Sequence, residues 1–225
     1  MTAVEVTAPE LTARLDALRS PDGRVGMGQI FALAKECVGM SLAEIEVLLE
    51  SPVHEVRVGG VSIMDWQARD RKTPVEQKRA LFELYMRRHD RINTWDLVDR
   101  SAIWVVGEWL VGKPRDVLDT LAASPAPMER RTAILSTVAF IRRGDLDDTY
   151  RITERLLHDE EVLVHKAVGW MLREAGKRDE PRLLAFLDEH AATMPRVMLR
   201  YAIEKLDKGV RDRYLAAGKA RSGGG

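Results

Sequence analysis

Cysteine is almost absent. Cys37 is the single one in 225 residues, which excludes a disulfide framework and a cysteine-based metal site, and fits a reducing compartment. The first residues, Met1-Thr2-Ala3-Val4-Glu5-Val6, have neither the basic start nor the apolar core of a signal peptide. No apolar run approaches the ~20 residues needed to cross a bilayer. A soluble, cytoplasmic protein with no membrane partner is expected. Net charge is lacking too: 35 basic and 35 acidic residues cancel, which argues against a generic polyanion binder. The balance is uneven along the chain. Residues 1–60 carry 9 acids and 5 bases, residues 61–145 carry 12 and 15, and residues 146–225 carry 14 and 15.

Several chemistries lack their residues. His54, His89, His158, His165 and His190 show no metal-ligand spacing. Gly23-Arg24-Val25-Gly26-Met27-Gly28 matches neither dinucleotide nor phosphate-loop spacing, and no strand precedes it. No serine sits in a nucleophile-elbow setting, and Cys37 lies on an apolar helix as core. No metal, no cofactor and no covalent nucleophile are expected.

What is present is helix. Leu11, Leu15 and Leu18 have helical spacing, stopped by Ser20-Pro21-Asp22-Gly23. A helix follows over Gln29–Val38. Ser41 starts another, with Glu44 in a capping-box position and Leu42, Ile45, Leu48 and Leu49 along one face. The pattern continues over His54–Arg69 and from Thr73-Pro74 to His89, then over 115–123, 127–143, 145–158, 161–176, 181–191 and 195–206. No alternating strand pattern occurs, so the chain is all-α. Residues 1–8 and 218–225 read as a disordered start and a flexible tail around a single domain, 9–217.

The helices repeat. Arg100-Ser101-Ala102-Ile103, Arg131-Thr132-Ala133-Ile134, His165-Lys166-Ala167-Val168 and Arg200-Tyr201-Ala202-Ile203 share one pattern, with alanines 31, 34 and 35 residues apart. His54-Glu55-Val56-Arg57-Val58-Gly59-Gly60 reads as a degenerate earlier copy. Small residues in one column let neighbouring helices approach. Each repeat is then a helical hairpin, and stacked hairpins give a right-handed solenoid with a concave groove.

Asn93-Thr94-Trp95-Asp96-Leu97-Val98-Asp99-Arg100 stands out. Trp95 and Asp99 are four residues apart and share a helix face, just before the apolar run Ser101–Gly107. With the repeat alanines set to zero, Trp95 falls near ~20°, Asp99 near ~60° and Trp170 near ~−60°, while Arg131 lies about 100° beyond Asp99. Trp66, Trp104 and Trp109 read as core. For Trp95 and Trp170 the residues alone leave core and surface equally open. Asp99 is readable as a first-turn acid or ion-pair partner, and Arg130 and Arg131 as solvated surface. Spacing alone leaves a binding solenoid and an enzyme both open.

Asn-Thr-Trp-Asp-Leu-Val-Asp at 93–99, Glu-Arg-Arg-Thr-Ala-Ile-Leu at 129–135 and His-Lys-Ala-Val-Gly-Trp-Met-Leu-Arg-Glu at 165–174 resemble the HEAT-like-repeat alkylpurine DNA glycosylases, the DNA alkylation repair proteins of the AlkD type. The resemblance covers about residues 25–206. It implies that Trp95 is an aromatic wall, Asp99 the catalytic aspartate, and Arg131 and Trp170 their partners, with Arg130, Lys166, Arg173 and Arg200 as DNA contacts. The segment Ser20–Met27 lacks the aromatic residues that members often carry there. The implied activity is monofunctional, cofactor-free hydrolysis of the N-glycosidic bond of N3- or N7-alkylated purines in duplex DNA by a monomer, and base excision repair. The alternative is a non-catalytic HEAT-repeat scaffold that binds nucleic acid or a protein.

Overall fold

Helix caps and glycines set where the chain turns. Thr7 caps the first helix by accepting a hydrogen bond from the Glu10 N–H at 3.4 Å, with proline in the first turn. The stop after it is a tight turn closed by Gly23 N–H on the Ser20 carbonyl at 2.8 Å; it needs φ +78° at Gly23. Ser41 Oγ caps the Glu44 N–H at 3.4 Å, and the Glu44 carboxylate reaches across to the Ala8 N–H at 2.6 Å.

The computed structural model describes residues 6–217, and no strand occurs among them. The expected disorder at 1–5 and the expected tail at 218–225 lie outside the described residues. Ala8, expected to precede the ordered domain, is already helical and buried. No described helix is long and apolar enough to cross a membrane.

The chain divides into two compact units, Met1–Trp109 and Leu110–Gly225. The first holds α1 (Ala8–Ala17), α2 (Met27–Glu36), α3 (Leu42–Glu50), α4 (His54–Arg69), α5 (Val75–Arg87), α6 (Trp95–Ala102) and a π-helical stretch, Ile103–Gly107. Its centre is α4, which packs against every other helix of the unit. Gly59 and Gly60 permit this: a Cβ would meet Leu11 Cδ2 at 3.3 Å on α1 and Leu48 Cβ at 3.2 Å on α3. Leu11 and Leu15 are fully buried in that seam, worth about 1.5–3 kcal/mol each. Leu18, expected on the same face, is exposed because α1 has already ended. Gln67 donates to the Val38 and Met40 carbonyls at 2.9 and 2.7 Å and so satisfies the buried α2–α3 turn.

The second unit holds α7 (Asp116–Ala122), α8 (Pro127–Ser136), α9 (Val138–Ile141), α10 (Asp147–Leu156), α11 (Val162–Gly176), α12 (Glu180–His190), α13 (Arg196–Ala202) and α14 (Lys208–Ala217). The single helix expected over 127–143 is broken at Thr137. Ser136 and Thr137 hydroxyls bond back to the Thr132 and Ile134 carbonyls, both at 2.7 Å, in competition with the backbone ladder. Helix α14 had no forecast in the pattern. Its one buried residue, Tyr214, docks it by donating to the Leu184 carbonyl and Asp188 at 3.1 and 2.7 Å.

The repeat alanines Ala102, Ala133, Ala167 and Ala202 are all buried. In the second unit α8, α11 and α13 lie side by side, α11 between the other two. The α11–α13 contact is close, because a Cβ on Gly169 would stand 2.6 Å from Tyr201 Cβ and closer still to the Met198 carbonyl. Gly169→Ala is therefore expected to lower stability by about 1–3 kcal/mol, read as a fall in the urea midpoint. An unchanged midpoint would show that the two helices can part at no cost.

Candidate active site

Helix α6 carries two i,i+4 pairs about 100° apart around its axis, and each has a different task. Asp96 and Arg100 face α4. His54 Nε2, at the first turn of α4, lies 2.7 Å from Asp96 Oδ2, and Thr94 Oγ1 donates to Asp96 Oδ1 at 2.7 Å. An ionised carboxylate only accepts, so Nε2 of His54 carries the proton. Burial raises the Asp96 pKa, but the Thr94 and His54 hydrogen bonds outweigh it and hold the carboxyl below its ordinary value.

One turn on, Arg100 Nε donates to Ser62 Oγ at 3.1 Å, and its Nη2 lies 3.2 Å from Asp65 Oδ2. Asp65 is fully buried and also meets Arg69 Nε at 2.9 Å. Burial pushes the Asp65 carboxyl up and the Arg100 guanidinium down, against their mutual attraction. The pair is thus a desolvated one whose value is orientation. The Arg100 guanidinium lies 4.3 Å from the Phe31 ring centroid and 5.2 Å from that of Trp66. The chain then widens into the π-helical stretch, where Glu108 N–H bonds to the Ile103 carbonyl five residues back at 3.0 Å, a deviation frequent at functional sites.

The other pair on α6, Trp95 and Asp99, is what this clamping presents. Trp95 is 52% exposed, an unusual position for a tryptophan, and Asp99 is half-buried. The structure thus puts Trp95 at the surface, where the spacing left core and surface open. Trp66, Trp104 and Trp109, expected in the core, are half-buried instead. The Trp66 and Trp104 rings are covered by cations, and Trp109 stacks on Phe82 at 6.1 Å.

The remaining candidates lie in the second unit. Lys166, Trp170 and Arg173 follow i, i+4, i+7 spacing on α11 and are half-buried. Arg131, which the residues alone left readable as surface, is 5% exposed, and its Nη1 donates to the Leu163 carbonyl. Arg130 grips Asp159 through two nitrogens at 2.6 and 3.1 Å and also bonds the Ser124 and Pro125 carbonyls. Arg173 pairs with Glu204 and lies 3.5 Å from Glu174. Lys166 and Arg200 make no ion pair among the described residues, and Arg200 is exposed. So the DNA-contact candidates divide into two held inside the unit, Arg130 and Arg173, and two available to a ligand.

Sequence reasoning missed His54, Asp65 and Arg69. The first had a signal: it opens the degenerate repeat copy, in the column where the later copies carry Arg or His. Asp65 and Arg69 are an ordinary i,i+4 pair until α6 arrives beside them. Asp96→Asn is expected to cost about 1.5–3 kcal/mol near neutral pH, as a hydrogen-bonded charge is removed. Because the folded pKa of Asp96 is depressed, its contribution is complete above the unfolded value of about 4 and is lost as pH falls through the folded one. Urea melts at about pH 7, 5 and 3 should show the gap between wild type and variant closing only at the acid end. A gap constant across that range would contradict the assignment.

Against this geometry stand three comparisons. No curated protein matches the sequence. A solved structure described as a predicted DNA alkylation repair enzyme from Enterococcus faecalis superposes with a TM-score of 0.64 at 17% identity, over 89% of this chain and 95% of that one; at that identity the likeness is one of fold. The family model described as DNA alkylation repair enzyme matches residues 13–206, nearly the whole of the described chain. The chain belongs to the DNA alkylation repair enzyme family, and with that membership comes interaction with DNA.

Proposed function

We propose that the protein is a monofunctional DNA glycosylase that hydrolyses the N-glycosidic bond of cationic N3- and N7-alkylated purines in duplex DNA. The observation that carries this reading is the exposed Trp95 with Asp99 one turn behind it, on a helix fixed by its neighbouring charged pair, in a chain of the DNA alkylation repair family. In this reading the helices are HEAT-like hairpins that hold the duplex by its backbone without reading sequence. The succession α8–α11–α13 and the buried alanine column support it.

Alkylation at N3 or N7 makes the base a cationic leaving group, so it departs neutral without a general acid. As the C1′–N bond breaks, positive charge develops on the deoxyribose. The Asp99 carboxylate stabilises that charge and orients the attacking water, whose oxygen bonds to C1′ and whose proton passes to Asp99 or solvent. Trp95 and Trp170 offer π faces to cationic base and sugar, worth about 1–2 kcal/mol each when desolvated. Lys166 and Arg200 hold flanking phosphates. Burial of Arg131 and its bond to the Leu163 carbonyl favour an electrostatic role over a gripping one. No metal or cofactor enters these steps, and a monomer suffices for them.

The test is release of 3-methyladenine and 7-methylguanine from methylated duplex. Asp99→Asn is expected to lower single-turnover release about 100-fold, and Trp95→Ala about tenfold, the equivalent of ~1.4 kcal/mol. Wild-type release that survives Asp99→Asn would remove the aspartate from the mechanism. A folded wild type that releases neither base would favour a non-catalytic scaffold.

A further inference from the structure

Most arginines of the first unit are matched by carboxylates at the surface. Arg14 pairs with Glu36, Arg19 with Asp16, and Arg87 and Arg88 share Glu46. The cations around Trp66 depart from this pattern. Lys35 Nζ, the Arg69 guanidinium and the Arg100 guanidinium lie 5.1, 5.3 and 5.2 Å from the centroid of one ring, Trp66. The carboxylate that serves them is Asp65, fully buried beneath and already shared by Arg69 and Arg100. Lys35 makes no ion pair among the described residues. Three positive charges therefore gather around one aromatic ring, and the one carboxylate that pairs with any of them among the described residues is closed off from solvent.

The three cations differ in access. Arg100 is committed to Ser62 and Asp65, and its side chain is 13% exposed. Lys35 is exposed, and Arg69, a third exposed along its side chain, meets Asp65 through Nε and makes no other ion pair among the described residues. A ring face that attracts cations holds both without neutralising them. What such a site lacks is an accessible anion. A guanidinium fork beside an ammonium point charge suits the oxygens of a phosphate.

We propose that Lys35 and Arg69, set on Trp66, form a phosphodiester subsite for a DNA strand on α2 and α4, separate from Trp95 and Asp99. The proposal rests on the DNA-acting reading of the family, not on the glycosylase chemistry. Because Arg100 ties Asp65 to the helix of Asp99, the same ion-pair network that positions the aspartate also leaves Lys35 and Arg69 short of a counter-charge.

The test is fluorescence anisotropy of the full chain on an undamaged duplex, over a range of salt. Lys35→Gln is expected to weaken binding about fivefold at low salt and to reduce the slope of log affinity against log salt by about 0.9, one phosphate contact. Lys35→Glu should weaken it more than tenfold. Arg69→Gln should act like Lys35→Gln. If its circular dichroism shows misfolding, Lys35→Glu decides, since Lys35 is exposed and unpaired. Arg79→Gln on α5, an equal loss of charge from an arginine with its own acids Glu76 and Glu83, should bind within about twofold of wild type. Wild-type affinity and slope in Lys35→Glu would overturn the proposal, as would an equal loss in Arg79→Gln. A wild type that binds duplex but releases no base would sink the glycosylase reading and leave this subsite standing.

Discussion

The orientation of α6 about its own axis is the constraint on which the candidate site depends. Rotation by one residue moves every side chain about 100°, enough to exchange Trp95 and Asp99 for Asp96 and Arg100. Hydrophobic burial of Leu97 and Val98 resists such a turn but is not directional. Two charged contacts to α4 supply the direction: Asp96 on His54 and Arg100 on Ser62 and Asp65. Such contacts add little net stability when buried, since desolvation offsets attraction. Their contribution here is to penalise other azimuths, where His54, Ser62 and Asp65 would lose these partners.

The same device appears in other forms within the second unit. Arg130 spans Asp159 and two carbonyls, and Arg115 bridges Asp145 and Asp148 while its guanidinium covers the Phe140 ring at 3.8 Å. Arginine suits this work because one planar head satisfies several acceptors and still stacks. A chain with balanced charge can thus keep most arginines internally occupied, and cations with no ion pair among the described residues, Lys35, Lys166 and Arg200 among them, are the ones available to an external anion.

Local pattern carried much of this to the reader of the sequence. The helices of the first unit, the stop at Ser20–Gly23 and the alanine column are set by periodicity, caps and small residues, which act over a few positions. The exposure of Trp95 was not legible, because it depends on which face of α6 meets α4. The burial of Arg131 was not legible either; it comes with a hydrogen bond from Nη1 to the Leu163 carbonyl, 32 residues on in the chain. The break at Thr137 was readable in principle from adjacent hydroxyl residues, and α14 was missed because a single buried tyrosine gives no period. The family motifs named Trp95 and Asp99 without geometry, and the ion pairs behind them were visible only as unremarkable i,i+4 neighbours.

The π-helical stretch at Ile103–Gly107 has a consequence for how this segment can change. A π turn is an α turn holding one extra residue, so in genetic terms it is an insertion kept at the end of a regular helix, since residues 108–112 are turn. Deleting one residue there would restore ordinary helical bonding and leave Trp95, Asp99 and Arg100 untouched. It would also draw Trp109 one residue closer to α6 and disturb its stack with Phe82. Substitution can tune this stretch gradually, but its length is locked by the partners at its two ends.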